Sequence, residues 1–406
     1  MGHGKAFDPN RFFIFCANAL GSPYGSASPL TLDPATHKPY GPEFPPTTIR
    51  DDVRVHKLVL DHLGIRSVAV VIGGSMGGMT ALEWPLCAPP GYVKRIVPLA
   101  TSARHSAWCI SWGEAQRQAI YSDPEYSDGY YYRAGGAGTQ PESGLAAARM
   151  TALLTYRSRD SFENRFGRKP QVQVPQPKAT LGMVTPPESP KSLADEALAA
   201  HNEGHRNTKS RPQSPLSVLS PLPPSPPPQH QQLQQQRHSS PIFSAQSYLR
   251  YQGAKFTARF DANCYIHITR KMDSHDLARG RTHTPSTPTQ ADQSLAVAQV
   301  LAQVPARALV IGIETDGLFT TTEQRELAEH IPGAELVIIP SPDGHDGFLL
   351  EFEQINRHLV RFLRREFPDV YAREVDELGG DGANGGGFEV KKTSVFGEAE
   401  VDVARW

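Results

Sequence analysis

Apolar residues along this chain fall into two alternating rhythms. Short, mostly apolar runs occur at Phe12–Cys16, Val68–Ile72, Lys94–Thr101, Ala308–Ile313 and Ala334–Pro340. Their length and β-branched content predict strands, the inner ones buried on both faces. Between them the apolar positions recur at helical spacing. Residues 47–63 place Ile49, Val53, Leu58, Val59 and Leu63 on one face, with Thr47 or Thr48 as cap, Asp51 and Asp52 in the first turn and Gly64 as terminator. Further helices are predicted over Gly77 to about Cys87, Ser102–Tyr121 (apolar Trp108, Ile110, Trp112, Ala115 and Ala119), Gly144–Tyr156, Thr321–His330 and Phe348–Phe367. The last of these carries Leu349, Phe352, Ile355, Leu359, Phe362 and Leu363 on its apolar side. Strand and helix alternating in this way predict an α/β fold with a mostly parallel sheet and helices on both faces. The helix-rich stretches on either side of residue 200 form a helical layer inserted into that sheet.

Composition changes this picture in one place. Residues 170–242 are crowded with Pro, Gln, Ser and His, including Pro221–Pro228 and Gln231–Gln236. Such a stretch buries too little apolar surface to offset its ordering entropy, so it is expected to be a disordered insert. A tolerated surface insertion explains it more simply than a Pro-rich partner-binding site. The expected organisation is a first core segment at 1–125, a helical lid with the insert at 126–294, a second core segment at 295–370 and a Gly-rich polar tail at 371–406.

Forty-one basic and 42 acidic residues leave a net charge of −1, which argues against nucleic-acid and membrane binding. Four scattered cysteines, Cys16, Cys87, Cys109 and Cys264, point to a reducing compartment and to no zinc or other metal site. No signal-peptide core and no apolar run of membrane-spanning length is present, so a soluble cytoplasmic protein is expected.

Chemistry enters at Gly73-Gly-Ser-Met-Gly77, between a predicted strand and a predicted helix. A G-x-S-x-G sequence in that context is the nucleophile elbow, a sharp turn that lifts Ser75 Oγ clear of the sheet. The small residues Gly73 and Gly77 are expected to let strand and helix pass closely, and the N–H of Met76 to stabilise an oxyanion. A serine hydroxyl needs a histidine base and a carboxylate to orient it, in the chain order Ser, Asp or Glu, His. Both partners should lie on loops after sheet strands. Asp316 follows the strand ending at Ile313, and His345 follows the strand ending at Pro340 in a glycine-containing loop. Glu314 and Asp343 are the rival carboxylates; Asp316 is preferred to Glu314 because it lies further into its loop. His105 and His275 fall in the helical layer, and His201, His205, His230 and His238 in the disordered insert, where a base is harder to place.

With these residues in place, the chain resembles the homoserine O-acetyltransferases of the α/β-hydrolase superfamily, most closely the fungal branch. The resemblance runs through Gly21–Gly25, Gly41–Pro45, Gly73–Met79, Ser102–Cys109, Glu114–Ala119, Ala148–Met150, Thr155–Arg157, Ser247–Gly253, Phe260–Asn263, Asp316–Phe319 and Gly344–Asp346, and again in the tail at Thr393–Glu400. It implies an α/β-hydrolase fold and a ping-pong transfer of acetyl from acetyl-CoA, a co-substrate, to L-homoserine, with no bound cofactor. Ser75 would be the nucleophile, His345 the base and Asp316 its orienter. The resemblance further implies that Arg149 binds the amino acid's carboxylate and Asp346 its amine, and that the enzyme is a homodimer serving methionine synthesis. From the residues alone, Arg149 reads as a helix-surface ion pair and Asp346 as a turn residue.

One departure stands out. Members of that family carry a strand and loop upstream of the segment matching Phe7-Asp-Pro9, and that loop supplies a second oxyanion N–H. The sequence in hand opens almost at this segment, so missing N-terminal strands and an incomplete chain are expected. The rival readings are acetylation of L-serine or another small alcohol, a serine hydrolase, and an inactive truncated fragment.

Overall fold

Among the described residues, four strands, all parallel, form the sheet: β1 (Val68–Gly74), β2 (Val93–Leu99), β3 (Leu309–Ile313) and β4 (Glu335–Ile339), in the spatial order β1-β2-β3-β4. The computed structural model describes residues 2–132, 139–171, 197–198, 200–205, 242–282, 289–304 and 307–373. The register sets Gly74 beside Leu99, Leu99 beside Ile311 and Ile313 beside Ile339. The C-terminal ends of the strands are therefore aligned, and the loops that leave them share one edge of the sheet. β3 shows why its sequence is apolar without alternation. Leu309, Ile311 and Ile313 pack with β2 and the C-terminal helix, while Ala308 and Val310 pack on the opposite face.

Helices α1 (Ile49–His62), α2 (Met76–Cys87), α8 (Gln290–Leu301) and α9 (Thr321–His330) bury apolar residues with one face, and α10 (Phe352–Glu366) covers the other through Ile355, Leu359, Phe362 and Leu363. The chain between β2 and β3 supplies α3 (Ala107–Tyr121), α4 (Glu142–Tyr156), α5 (Arg159–Phe166), α6 (Ser244–Thr257) and α7 (Ala262–Asp273). Ile120, Leu145, Ala148, Phe256, Tyr265 and Ile266 pack there as a separate apolar cluster. The residues divide into two compact units, one from Met1–Arg165 with Gln252–Ala404 and one including Phe166–Tyr251. In the second unit Gln171 N–H donates to Ile242 C=O and Ser244 N–H to Lys169 C=O, so the chain leaves and returns at one point. Most of the 170–242 segment and the tail beyond Arg373 lie outside the described residues. Among the described residues, no helix is long and apolar enough to cross a membrane.

Four sequence expectations need correction. Phe12–Cys16 is not a strand: it runs irregularly, with Phe13 73% exposed. Among the described residues no strand takes up its backbone bonds; Phe12 instead sets its ring edge-on against Phe367 and Tyr371. The buried face of α1 is Ile49, Asp52, Val53, His56 and Leu60, leaving Leu58 67% exposed, with Val59 and Leu63 also outside. Polar side chains take the inner face because they find partners there. His56 Nε2 lies 3.0 Å from Asn18 C=O, and Asp52 binds Lys271. α3 begins at Ala107, where Ser106 Oγ caps Cys109 N–H, rather than at Ser102, and Trp108 is 58% exposed. Finally, a break at Glu351 separates α10 from a short helical turn at Gly347–Leu350, which leaves Leu349 and Phe352 outside.

The Asp52–Lys271 pair anchors the long irregular segment after Ala17. Lys271 Nζ lies 2.8 Å from each Asp52 oxygen and donates to Leu20 C=O at 2.7 Å, while Leu20 N–H donates to Asp52 Oδ1 at 2.9 Å. Both charges are buried. α1, α7 and the loop at Leu20 thus meet at one fully hydrogen-bonded ion pair.

Candidate active site

Ser75 stands between the last residue of β1 and the first of α2, at φ 56°, ψ −122°. A non-glycine residue seldom holds positive φ, and neighbouring bonds impose it here. Ser75 N–H donates to Leu99 C=O at 2.9 Å, and Thr101 Oγ1 donates to Ser75 C=O at 2.8 Å. The turn is possible because two glycines lack a Cβ. A Cβ on Gly73 would lie 2.0 Å from Gly77 O, and one on Gly78 would lie 2.5 Å from Thr101 Cγ2. Gly77 needs no such allowance, since a Cβ there meets nothing within 4 Å. The close passage therefore depends on Gly73 and Gly78, not on Gly73 and Gly77. Gly73→Ala is expected to abolish activity and cost at least about 1–3 kcal/mol as an overpacked site. Gly77→Ala should be neutral or gain about 0.5–1 kcal/mol through helix propensity. Urea unfolding of the two variants measures the contrast, and equal stabilities would refute it.

His345 reaches the serine from the loop after β4. Its Nε2 lies 3.0 Å from Ser75 Oγ and its Nδ1 2.7 Å from Asp316 Oδ2. With Nδ1–H donating to the carboxylate, Nε2 is left as the acceptor for the serine O–H. Asp316 Oδ1 accepts the N–H groups of Leu318 (2.8 Å) and Phe319 (3.0 Å), which fix the carboxylate in its buried position. The imidazole is flanked by the rings of Phe348, Phe319 and Tyr156, with centroids at 5.1, 5.3 and 6.1 Å. Thr315 ties the two loops together: its Oγ1 donates to Ser341 C=O and accepts Gly344 N–H. The N–H of Met76, the first residue of α2, has no acceptor within its own helix by position and lies next to the nucleophile in sequence.

The rival residues lie elsewhere. Glu314 is exposed, and Asp343 is bound by Arg157 and Ser161. His275 is buried, with Nε2 3.2 Å from Ser102 C=O, and burial pushes its pKa down to about 4, so it is a neutral core histidine. Cys109, close to the Asp316 loop, donates Sγ–H to Leu318 C=O, and burial pushes its pKa up to about 11.

Arg149 and Asp346 are both buried, unlike the surface ion pair and turn residue that the residues alone imply. The Arg149 guanidinium lies 4.8 Å from the Phe256 ring centroid and 5.3 Å from that of Tyr156. Burial raises the Asp346 carboxyl above its ordinary range, and the charges of Arg157, His345 and Arg149 pull it back. Arg157 Nε lies 2.9 Å from Asp346 Oδ2. Local sequence pattern gives neither Arg157 nor Thr315 a role. The only signal available for Arg157 was the Thr155-Tyr-Arg157 motif.

Taken together, a serine, a histidine and a buried carboxylate form one hydrogen-bonded relay at the C-terminal edge of a parallel sheet. This arrangement can carry out acyl transfer through a covalent serine ester. The profile of the alpha/beta hydrolase fold matches residues 3–352. A homoserine O-acetyltransferase of Cryptococcus neoformans var. grubii is 53% identical, over 100% of this chain and 85% of its own length. That of Saccharomyces cerevisiae is 51% identical, over 100% of this chain and 82% of its own. The crystal structure of homoserine O-acetyltransferase from Bacillus anthracis superposes with a TM-score of 0.59 at 18% identity, over 84% of this chain and 71% of that one, a likeness of fold. The chain belongs to the fungal homoserine O-acetyltransferases, enzymes built on the α/β-hydrolase fold.

Proposed function

We propose that the chain transfers the acetyl group of acetyl-CoA to the side-chain hydroxyl of L-homoserine, giving O-acetyl-L-homoserine and CoA. The observation that carries this reading is the relay from Asp316 Oδ2 through His345 to Ser75 Oγ, with contacts of 2.7 and 3.0 Å. Ser75 Oγ attacks the thioester carbon while His345 Nε2 takes its proton, and Asp316 stabilises the imidazolium that forms. The carbonyl oxygen of the tetrahedral intermediate faces the Met76 N–H. Collapse breaks the carbon–sulfur bond, and the imidazolium returns the proton to the departing CoA sulfur. The homoserine hydroxyl then attacks the acetyl-serine, with His345 again as base, and a second collapse releases the product and restores Ser75.

An acceptor other than water needs a seat. Arg149 suits a carboxylate, because a planar guanidinium binds both oxygens, and Asp346 suits an ammonium. The product serves methionine synthesis, and we assign the enzyme to the cytoplasm as a homodimer. Incubating the full chain with acetyl-CoA should release thiol beyond the single equivalent that acylates Ser75 only when L-homoserine is present, in step with O-acetylhomoserine. L-Serine, shorter by one methylene, should be disfavoured by about 10- to 200-fold. Thiol release at the same rate without any amino acid would replace this reading with a hydrolase.

A further inference from the structure

Arg157, just after α4, lies outside the relay yet binds the loop that carries the histidine at two points. Its Nη1 is 2.7 Å from Asp343 Oδ1 and its Nε 2.9 Å from Asp346 Oδ2, so one guanidinium spans the carboxylates on both sides of His345. The docking is reinforced around it. Ser161 Oγ donates to Asp343 Oδ1 at 2.5 Å, and Ser158 Oγ donates to Pro342 C=O. Gly344, at φ +66°, lies against the backbone of residues 156–158; a Cβ there would be 2.5 Å from Ser158 N. The end of α4 and the histidine loop therefore form one rigid junction. Arg149 and Tyr156 lie on the same helix, so any tilt of α4 would move the His345 loop with them.

We propose that Arg157 is a positioning residue: by gripping Asp343 and Asp346 it fixes His345 opposite Ser75 and keeps Asp346 a charged seat for the acceptor's ammonium. The second half rests on the acceptor reading given above. The two arms have separable effects. The Asp343 arm holds the loop in place and so governs acylation of Ser75, which needs no acceptor. The Asp346 arm governs acceptor binding. Asp346 is buried, and the cations facing it are Arg157, Arg149 and the imidazole of His345 when protonated. Arg157 Nε holds the Oδ2 side of this carboxylate.

The test uses the full chain with Arg157→Gln, Arg157→Lys and Asp343→Asn. First-turnover thiol release from acetyl-CoA reports acylation, and kcat and KM for L-homoserine are followed against pH. Arg157→Gln should slow acylation about 10- to 100-fold through misplacement of the base. It should also move the acid limb of the homoserine KM upward by about one pH unit or more, because burial of Asp346 is then offset by one neighbouring cation fewer. The sign follows from the carboxylate: as pH falls through its raised pKa, Asp346 takes a proton and KM rises. Arg157→Lys keeps the charge but not the fork, so acylation should slow while the limb stays near its wild-type position. Asp343→Asn should do the same, and it tests the loop arm if Arg157→Gln fails to fold. Wild-type acylation in all three variants together with an unmoved limb would reduce Arg157 to a structural ion pair and overturn the proposal. A wild-type enzyme that consumes acetyl-CoA equally fast without amino acid would remove the acceptor reading, and the acylation measurements would still decide the role of Arg157.

Discussion

Replacing Ser75 with alanine is expected to lower acetyl transfer by about 10⁵- to 10⁶-fold, because nucleophile and base act as one unit. Mass spectrometry after exposure to acetyl-CoA should find an acetyl adduct on the wild-type chain and none on Ser75→Ala. Residual transfer within tenfold of wild type would rule out a serine ester. The same position makes a second, opposite expectation. Ser75 holds φ 56° against the preference of any L-residue, at a cost of about 1–3 kcal/mol. Glycine adopts that conformation freely but loses about 0.5–1 kcal/mol through its greater unfolded-state entropy. Ser75→Gly should therefore be inactive and roughly 1 kcal/mol more stable in urea unfolding, while Ser75→Ala keeps the strain and gains little.

Removing Lys271 should be the most damaging single change to stability away from the reacting groups. Lys271→Ala leaves the Asp52 carboxylate buried without its cation, and breaking a buried pair from one side costs about 3–5 kcal/mol. A Lys271→Met, Asp52→Leu double replacement should recover part of that loss, since no charge is then stranded. Recovery should be incomplete. Leu20 N–H and C=O both bond to this pair, and each is left unpaired at about 1–3 kcal/mol. A loss below about 1 kcal/mol in Lys271→Ala would show that water reaches the site and that the pair contributes little.

This pair also marks where sequence reading stopped. The elbow, Asp316 and His345 were legible because each sits on a loop following an apolar strand, and strand runs are the plainest signal a parallel sheet leaves. The inner face of α1 was not. Apolar residues at Leu58, Val59 and Leu63 drew the face the wrong way, because Asp52 and His56 go inside to partners supplied by Lys271 and Asn18. A partner 219 positions away leaves no mark on a local pattern. The same holds for Arg157, whose carboxylates lie 186 and more positions later, and for Gly78, whose need for a bare Cα comes from Thr101 on another strand's loop. Phe12–Cys16 failed differently. Its composition is that of a strand, but a strand is defined by its neighbour, and the ring of Phe12 found aromatic partners at the other end of the chain instead.

The 270 positions between Ser75 and His345 have a consequence during synthesis. At about 5–20 residues per second, a ribosome that has added the serine needs roughly 15–55 s more to add its base. Throughout that interval the elbow has no proton acceptor, and both the orienting carboxylate of Asp316 and β3, the neighbour that completes the sheet beside β2, are added only near its end. The nascent enzyme is thus chemically silent toward thioesters until its C-terminal portion emerges, and the hydroxyl becomes reactive only in a chain that has closed its sheet.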